Sequence, residues 1–319
     1  MSVAATRTAK QAASAVLMVR PAAFASNPQT ALSNSFQAVA PRTPAIQRRA
    51  EREFDAVANA LETAGVRVHA FQGQTDCDAP DEVFPNNWVS FHEDGTVVLY
   101  PLLAPNRRLE RRASILASLE REHGYRLGRI VDLTLHEAEG RYLEGTGSLV
   151  LDRVNRVAYA CGSPRTDVEV ISDFADKLGF DPVVFPATDA TDRPVYHTNV
   201  VMSVGTHFAV ACLDAIPHPA ARRELAERIE ASGRELIALS IEQMHGFAAN
   251  ILELRGSSGS VIAASAHAHG TFNPAQVRAL ERHGELVIAA IPTIEAYGGG
   301  SLRCMLAEIF LPSGAGETD

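Results

Sequence analysis

Five glycines punctuate the chain at nearly equal steps. Gly65, Gly124, Gly179, Gly233 and Gly284 follow one another at 59, 55, 54 and 51 residues (65 to 124, 124 to 179, 179 to 233, 233 to 284). Each ends an amphipathic run that reads as a helix, roughly 45–64, 107–123, 167–178, 217–232 and 274–283. Each suits the left-handed residue that closes a helix. Each opens a short apolar segment that reads as a strand: Val66–Phe71, Arg126–Leu133, Pro182–Phe185, Glu235–Leu239 and Glu285–Ile291. A repeat of this length, with helix and strand in every copy, restricts the chain to an array of like units.

A loop and then a hairpin follow each short strand. Trp88–Tyr100 turns at Asp94-Gly95, a strong hairpin signal. Ser148–Ala160 turns near Arg153–Asn155, Val200–Cys212 at Gly205-Thr206, and Ile251–Ser265 at Gly256–Gly259. The fifth hairpin is split. Its halves are Arg303–Leu311 and Ala15–Arg20, and pairing them would close the five units into a ring with no bare sheet edge at the seam. The alternative is an open α/β sheet with ordinary connections. In the ring reading, residues 1–14 are a loose tail, 15–312 form a single α/β domain and 313–319 are a C-terminal tail.

The residues just before each hairpin are Phe84-Pro85-Asn86-Asn87, Glu144-Gly145-Thr146-Gly147, His197-Thr198-Asn199, Phe247-Ala248-Ala249-Asn250 and Arg303-Cys304. Equivalent positions of a closed ring face one axis. Asn87, Glu144, His197, Asn199, Asn250 and Cys304 are therefore expected to converge, and a nucleophile, a base and an acid brought together make a reaction site. Gly298-Gly299-Gly300 leads into Cys304 and lets backbone approach closely. By phase alone Asn250 carries less than the others, and a structural use is expected for it.

Composition narrows the class. The 319 residues carry a formal net charge of -9, which argues against general nucleic-acid binding. No apolar run approaches the roughly 20 residues of a membrane span. Cys77, Cys161, Cys212 and Cys304 have no metal-type spacing. Residues 1–15 hold Arg7 and Lys10 and no acid, but Val16–Val19 is too short for a signal core. A reducing cytoplasm is the expectation. His267 and His269, read as alternate strand positions, could share a zinc, but no third ligand follows at a useful spacing, so neither metal nor cofactor is expected.

In combination, Pro85-Asn86-Asn87-Trp88, Glu144-Gly145, His197-x-Asn199 and Gly298-Gly299-Gly300-Ser301-Leu302-Arg303-Cys304 resemble the guanidine-modifying, or pentein, superfamily. The resemblance runs from Met18-Val19-Arg20-Pro21 to Pro312 and is nearest to the citrulline-utilising hydrolase and arginine deiminase-related branch. It implies a five-bladed, pseudo-symmetric α/β propeller. It also implies a small amino-acid substrate, leaves a homo-oligomer open, and gives roles to residues. Cys304 would attack the ureido or guanidino carbon. His197 would protonate the leaving amine and then activate water. Glu144 would orient the histidine and accept substrate N–H groups. Asn87 and Asn199 would hold the terminal group, and Arg165 with Arg108, or its neighbour Arg107, would hold the α-carboxylate.

Deiminases of this superfamily place aspartates where Asn87 and Asn199 stand. An amide offers a donor and an acceptor, as a ureido group requires. The resemblance therefore leans to hydrolysis of citrulline to ornithine, carbon dioxide and ammonia. An arginine deiminase or dihydrolase is the alternative on the same site. A metal-dependent hydrolase built on His267 and His269, and a non-catalytic amino-acid-binding propeller, are alternatives of another class.

Overall fold

The structure is a computed structural model and describes residues 9–314. Strand β1 (Ala15–Arg20) runs parallel to β2 (Arg67–Gln72) over six paired residues. Four copies of one pattern follow, an antiparallel hairpin whose second strand pairs in parallel with a third. They are β3 (Val89–Phe91), β4 (Val97–Leu99) and β5 (Ile130–Asp132). Next come β6 (Val150–Asp152), β7 (Val157–Cys161) and β8 (Asp181–Phe185). The third copy is β9 (Met202–Val204), β10 (Phe208–Ala211) and β11 (Glu235–Ala238). The fourth is β12 (Leu252–Gly256), β13 (Gly259–Ser265) and β14 (Glu285–Ala289). Finally β15 (Ala307–Glu308) pairs antiparallel with β1, so the split hairpin forms as the sequence suggests.

The five sheets are neighbours in cyclic order. β15 lies against β3, the segment after Glu144 against β3, β6 against β9, and β9 against β12. A bridge between Ala13 and Leu254 joins the last sheet to the first. Every hairpin's first strand therefore runs from a shared end, where the candidate residues stand, to the opposite end, where the turns gather.

The outer helices form where the periodicity puts them. In Pro44–Thr63 the residues Ile46, Ala50, Phe54, Val57 and Leu61 are buried, one apolar stripe at helical spacing. Burial of each large side chain contributes about 1.5–3 kcal/mol. Thr43 caps this helix by accepting from the Ile46 N–H, and Asp167 caps Val168–Leu178 by accepting from Glu169. Helices Pro219–Ala231 and Pro274–Glu281 complete the set.

Three expectations are corrected. The helix expected over 107–123 is two pieces, a 3-10 helix Pro105–Glu110 and an α-helix Ala113–Arg121, parted by extended Arg111 and Arg112. The first piece turns Asn106, Arg107 and Glu110 inward to polar partners, while Ile115, Leu116 and Leu119 enter the apolar core. No single helical phase serves both. Gly284 does not take the left-handed conformation of the other four glycines. Its backbone passes the Ser260 carbonyl oxygen, which an added Cβ would meet at 2.7 Å.

The third correction concerns the tails. Residues 9–14 are not loose: Gln11 donates to the carbonyls of Leu151 (2.9 Å) and Val204 (3.1 Å) and accepts from the Arg153 N–H (2.9 Å). Arg255 N–H donates to the Ala13 carbonyl at 2.8 Å. At the other end Ser313 bridges to Tyr125, and Gly314 donates to Gly124. Residues 1–8 and 315–319 of the two expected tails lie outside the described residues. Among the described residues, no helix is long and apolar enough to cross a membrane.

Candidate active site

Each short turn before a first hairpin strand delivers one part of the site. Cys304 lies on the 3-10 turn Leu302–Met305 before β15. Asn199 lies on Thr198–Val201 before β9, and Asn250 directly precedes the segment leading to β12. The Asn199 side-chain amide donates to Cys304 Sγ at 3.4 Å and the Asn250 amide at 3.3 Å. The thiol in turn reaches Asn250 Oδ1 at 3.6 Å. Asn250 can thus serve the sulfur in either protonation state, as acceptor for the thiol and donor to the thiolate. The sequence leads to a structural use for Asn250; the structure places its amide against the sulfur.

Glu144 and His197 form the second part. His197 Nε2 stands 2.9 Å from Glu144 Oε2, with both side chains buried. Arg165 donates to the same oxygen at 3.3 Å, and an Arg107 nitrogen lies 3.5 Å from it. The Leu103 N–H donates to the other oxygen at 3.2 Å. Burial alone would raise the Glu144 carboxyl. Arg165, the His197 hydrogen bond and Arg107 outweigh it and hold the group well below the usual carboxylate range. Burial pushes His197 down to about 4, partly offset by Glu144 and reinforced by the two arginines. At neutral pH the imidazole is neutral and can accept a proton.

Close backbone contact packs these groups together. A Cβ on Gly147 would come within 2.4 Å of Asn87 Nδ2 and 2.7 Å of the His197 ring. Gly299, at φ 65°, accepts from Asn34 Nδ2 at 3.0 Å and from the Tyr196 hydroxyl at 2.5 Å. Gly298 and Gly300 pass the Phe84 ring. The glycine run therefore does bring backbone close to its surroundings.

Cys304, His197, Asn87, Arg165 and Arg107 line one cleft, together with Asp81 and Tyr196. Its free space is about 10 Å³, and Thr30 and Asn34 are also among its lining residues. Asn87 is already occupied: its Oδ1 accepts from Arg107 at 2.9 Å and its Nδ2 donates to the Glu144 carbonyl at 3.4 Å. Arg108 is not in the cleft. It donates to the Leu102 carbonyl (3.0 Å) and pairs with Glu137 (3.3 Å), while Arg107 points inward and is clamped by Glu110. The 3-10 turn sets this choice, since adjacent residues on it face different ways.

Asp81 was not anticipated. It is buried, accepts from Asn27 Nδ2 at 2.7 Å through one oxygen, and lacks a donor on the other. Burial raises its pKa, with Arg107 opposing. The signal for it was an acid six positions before Asn87 on the loop that enters the site. His267 and His269 lie on the helix Ala266–Thr271 and not on a strand, so two residues apart they do not share a face. Among the described residues no group of three or more metal-ligating side chains occurs.

The sequence model of a family described as N,N dimethylarginine dimethylhydrolase, eukaryotic, matches residues 20–311. No curated protein matches by sequence at a significant level. Among solved structures, the N-terminal domain of ArgZ with a covalently bound reaction intermediate superposes with a TM-score of 0.71 at 16% identity, covering 93% of this chain and 99% of that one. Whole ArgZ, an arginine dihydrolase from cyanobacteria, gives 0.71 at 16% identity, but this chain spans only 41% of it. A dimethylarginine dimethylaminohydrolase variant carrying an S-methyl-L-thiocitrulline adduct gives 0.63 at 16% identity, covering 92% and 99%. At such identities the structures show a shared fold, and the family match over 20–311 shows kinship. The chain belongs to the N,N-dimethylarginine dimethylhydrolase family of the pentein superfamily, hydrolases that cleave guanidino C–N bonds with a catalytic cysteine.

Proposed function

We propose that this hydrolase acts on the guanidino group of free arginine or an N-methylated arginine, with Cys304 as nucleophile. One observation carries the choice of a guanidino over a ureido group. Among the described residues, the buried side-chain atom that lines the cleft without a partner is an acceptor, Asp81 Oδ1. The amide donors of Asn87 and Asn199 are already engaged. A guanidinium offers N–H donors and no acceptor, whereas a ureido oxygen needs a donor. Asp81, buried and short of a donor, suits a cation. Asn86, Trp88 and Asn199, which also carry unpartnered atoms, do not line the cleft.

In this reading His197 takes the Cys304 proton and the thiolate attacks the guanidino carbon. The C–N bond breaks, and the amine departs with the proton from His197. His197 then takes a proton from water, whose oxygen attacks the same carbon, and the carbon–sulfur bond breaks to return the thiol. Arginine gives citrulline and ammonia. A second round on bound citrulline would give ornithine, carbon dioxide and ammonia. Glu144 keeps the imidazole oriented, and Arg165 and Arg107 supply cations for the α-carboxylate. The cyclic adjacency of the sheets supports the five-bladed propeller, and four unpaired cysteines support a reducing cytoplasm.

Incubation with arginine, N,N-dimethylarginine and citrulline, followed by assay of released amine, citrulline and ornithine, tests this. Consumption of a guanidino substrate, lost in Cys304→Ser, is expected. Consumption of citrulline alone would support the ureido reading, drawn from the amides at 87 and 199, and sink this one.

A further inference from the structure

A second cavity lies at the opposite end of the sheets from Cys304, where the hairpin turns gather. It encloses about 350 Å³, far more free space than the catalytic cleft. Its walls come from two neighbouring sheets. The β3–β4 turn gives His92, Glu93 and Asp94, the β6–β7 turn gives Arg153 and Arg156, and Arg129 and Lys177 complete it. Four permanent cations thus face one space in a chain whose formal net charge is -9.

The protein does little to neutralise them. Among the described residues, neither Arg129 nor Arg156 has a carboxylate in ion-pair contact. Arg129 donates to the Lys177 carbonyl at 3.0 Å, and Arg156 donates to the carbonyls of Leu178 and Gly179 and lies over the Phe180 ring. Arg153 forms the floor, buried beside the Phe310 ring, with Glu308 at 3.9 Å as its nearest acid. Burial lowers the pKa of both Arg153 and Arg156, and the acids nearby do not restore it. The two acids in the wall act on Arg156, and Glu93 on Arg153, but neither makes an ion-pair contact with them, and both hold other donors. Glu93 accepts from the Lys10 N–H at 2.8 Å, and Asp94 accepts from the N–H and hydroxyl of Thr96 at 2.9 Å. Lys177 pairs with Asp173 on its own helix. His92 is buried against Ser90, and burial holds it well below its ordinary value, so it adds no charge.

We propose that this cavity binds a small oxyanion of the phosphate class, inorganic pyrophosphate filling it better than phosphate. Guanidinium groups from two sheets supply the forked donors that such oxygens accept. The floor also communicates with the catalytic end. Glu308 stands between Arg153 and Arg303 (3.6 Å), and Arg303, next to Cys304, donates to Thr146 at 3.3 Å.

Calorimetric titration of the whole protein with pyrophosphate and with phosphate, at fixed ionic strength, tests the site. One saturable event is expected in the wild type. It weakens at least tenfold in the double variant Arg129→Gln/Arg156→Gln, whose changes are on exposed side chains and whose thermal melt is measured alongside. It persists after Cys304 is alkylated, which blocks the other end. Affinity unchanged within twofold in the double variant, loss of binding on alkylation, or no saturable binding of either anion would each overturn the assignment.

Discussion

The side-chain amide of Asn250 lies 3.3 Å from the sulfur of Cys304, a contact made across fifty-four residues of sequence. A hydrogen bond to a charged group is worth about 1.5–3 kcal/mol, a factor of roughly 10 to 150 in rate. Asn250→Ala should therefore lower kcat/KM by about that factor and slow alkylation of Cys304 at pH 7, with KM little changed. Unaltered alkylation would show that the amide does not serve the thiolate.

The acid limb of kcat/KM should sit near pH 4, where burial has pushed His197, and not near its ordinary 6.5. The same shift bears on stability. The unfolded chain takes up the His197 proton near pH 6.5 and the folded chain only near 4, so stability falls as pH drops through that window. Glu144, held low, continues the loss at still lower pH. Buried His69 and His92 are shifted the same way, so the test is a difference. Urea midpoints at pH 7 and pH 5 should draw closer together in His197→Gln than in the wild type.

Asp81→Asn should separate substrates. Loss of a buried carboxylate facing a guanidinium costs about 1.5–3 kcal/mol, so arginine kcat/KM should fall roughly 10- to 150-fold. A neutral ureido compound should be handled no worse. Equal losses on both would remove Asp81 from substrate recognition.

Two adjacent arginines make an internal control. Arg107→Gln strips the buried Glu110 of its cation, leaves Glu144 with Arg165 alone, and should cost about 3–5 kcal/mol of stability. Arg108→Gln removes only a part-exposed pair with Glu137, worth about 0–1 kcal/mol. Denaturant unfolding of both variants decides the point, and a reversed order would mean that the wrong arginine has been placed inside.

The repeat was legible because it rests on local chemistry. Helix-closing glycines, hairpin turns and apolar periodicity recur in register, and the turn preceding each hairpin follows from them. The expectation that Cys304, His197 and Glu144 lie close together came from phase for that reason. Asp81 was not anticipated, because it stands outside the repeated positions and its role depends on what packs above it. The choice of Arg107 over Arg108 hung on the phase of a 3-10 turn that helical periodicity does not resolve. Residues 9–14 carry no pattern of their own. Gln11 is fixed by carbonyls of β6 and β9, partners that exist only once the sheets are assembled.

Strand β15 completes the sheet that β1 began, and Cys304 travels just ahead of it. Every other group of the site is encoded earlier. A nascent chain can therefore build most of its scaffold on the ribosome yet remains without its proposed nucleophile until the last seam is sewn. Closing so distant a pairing is slow by nature, and the emergence of turnover during refolding should track that final step, not the earlier gain of helix.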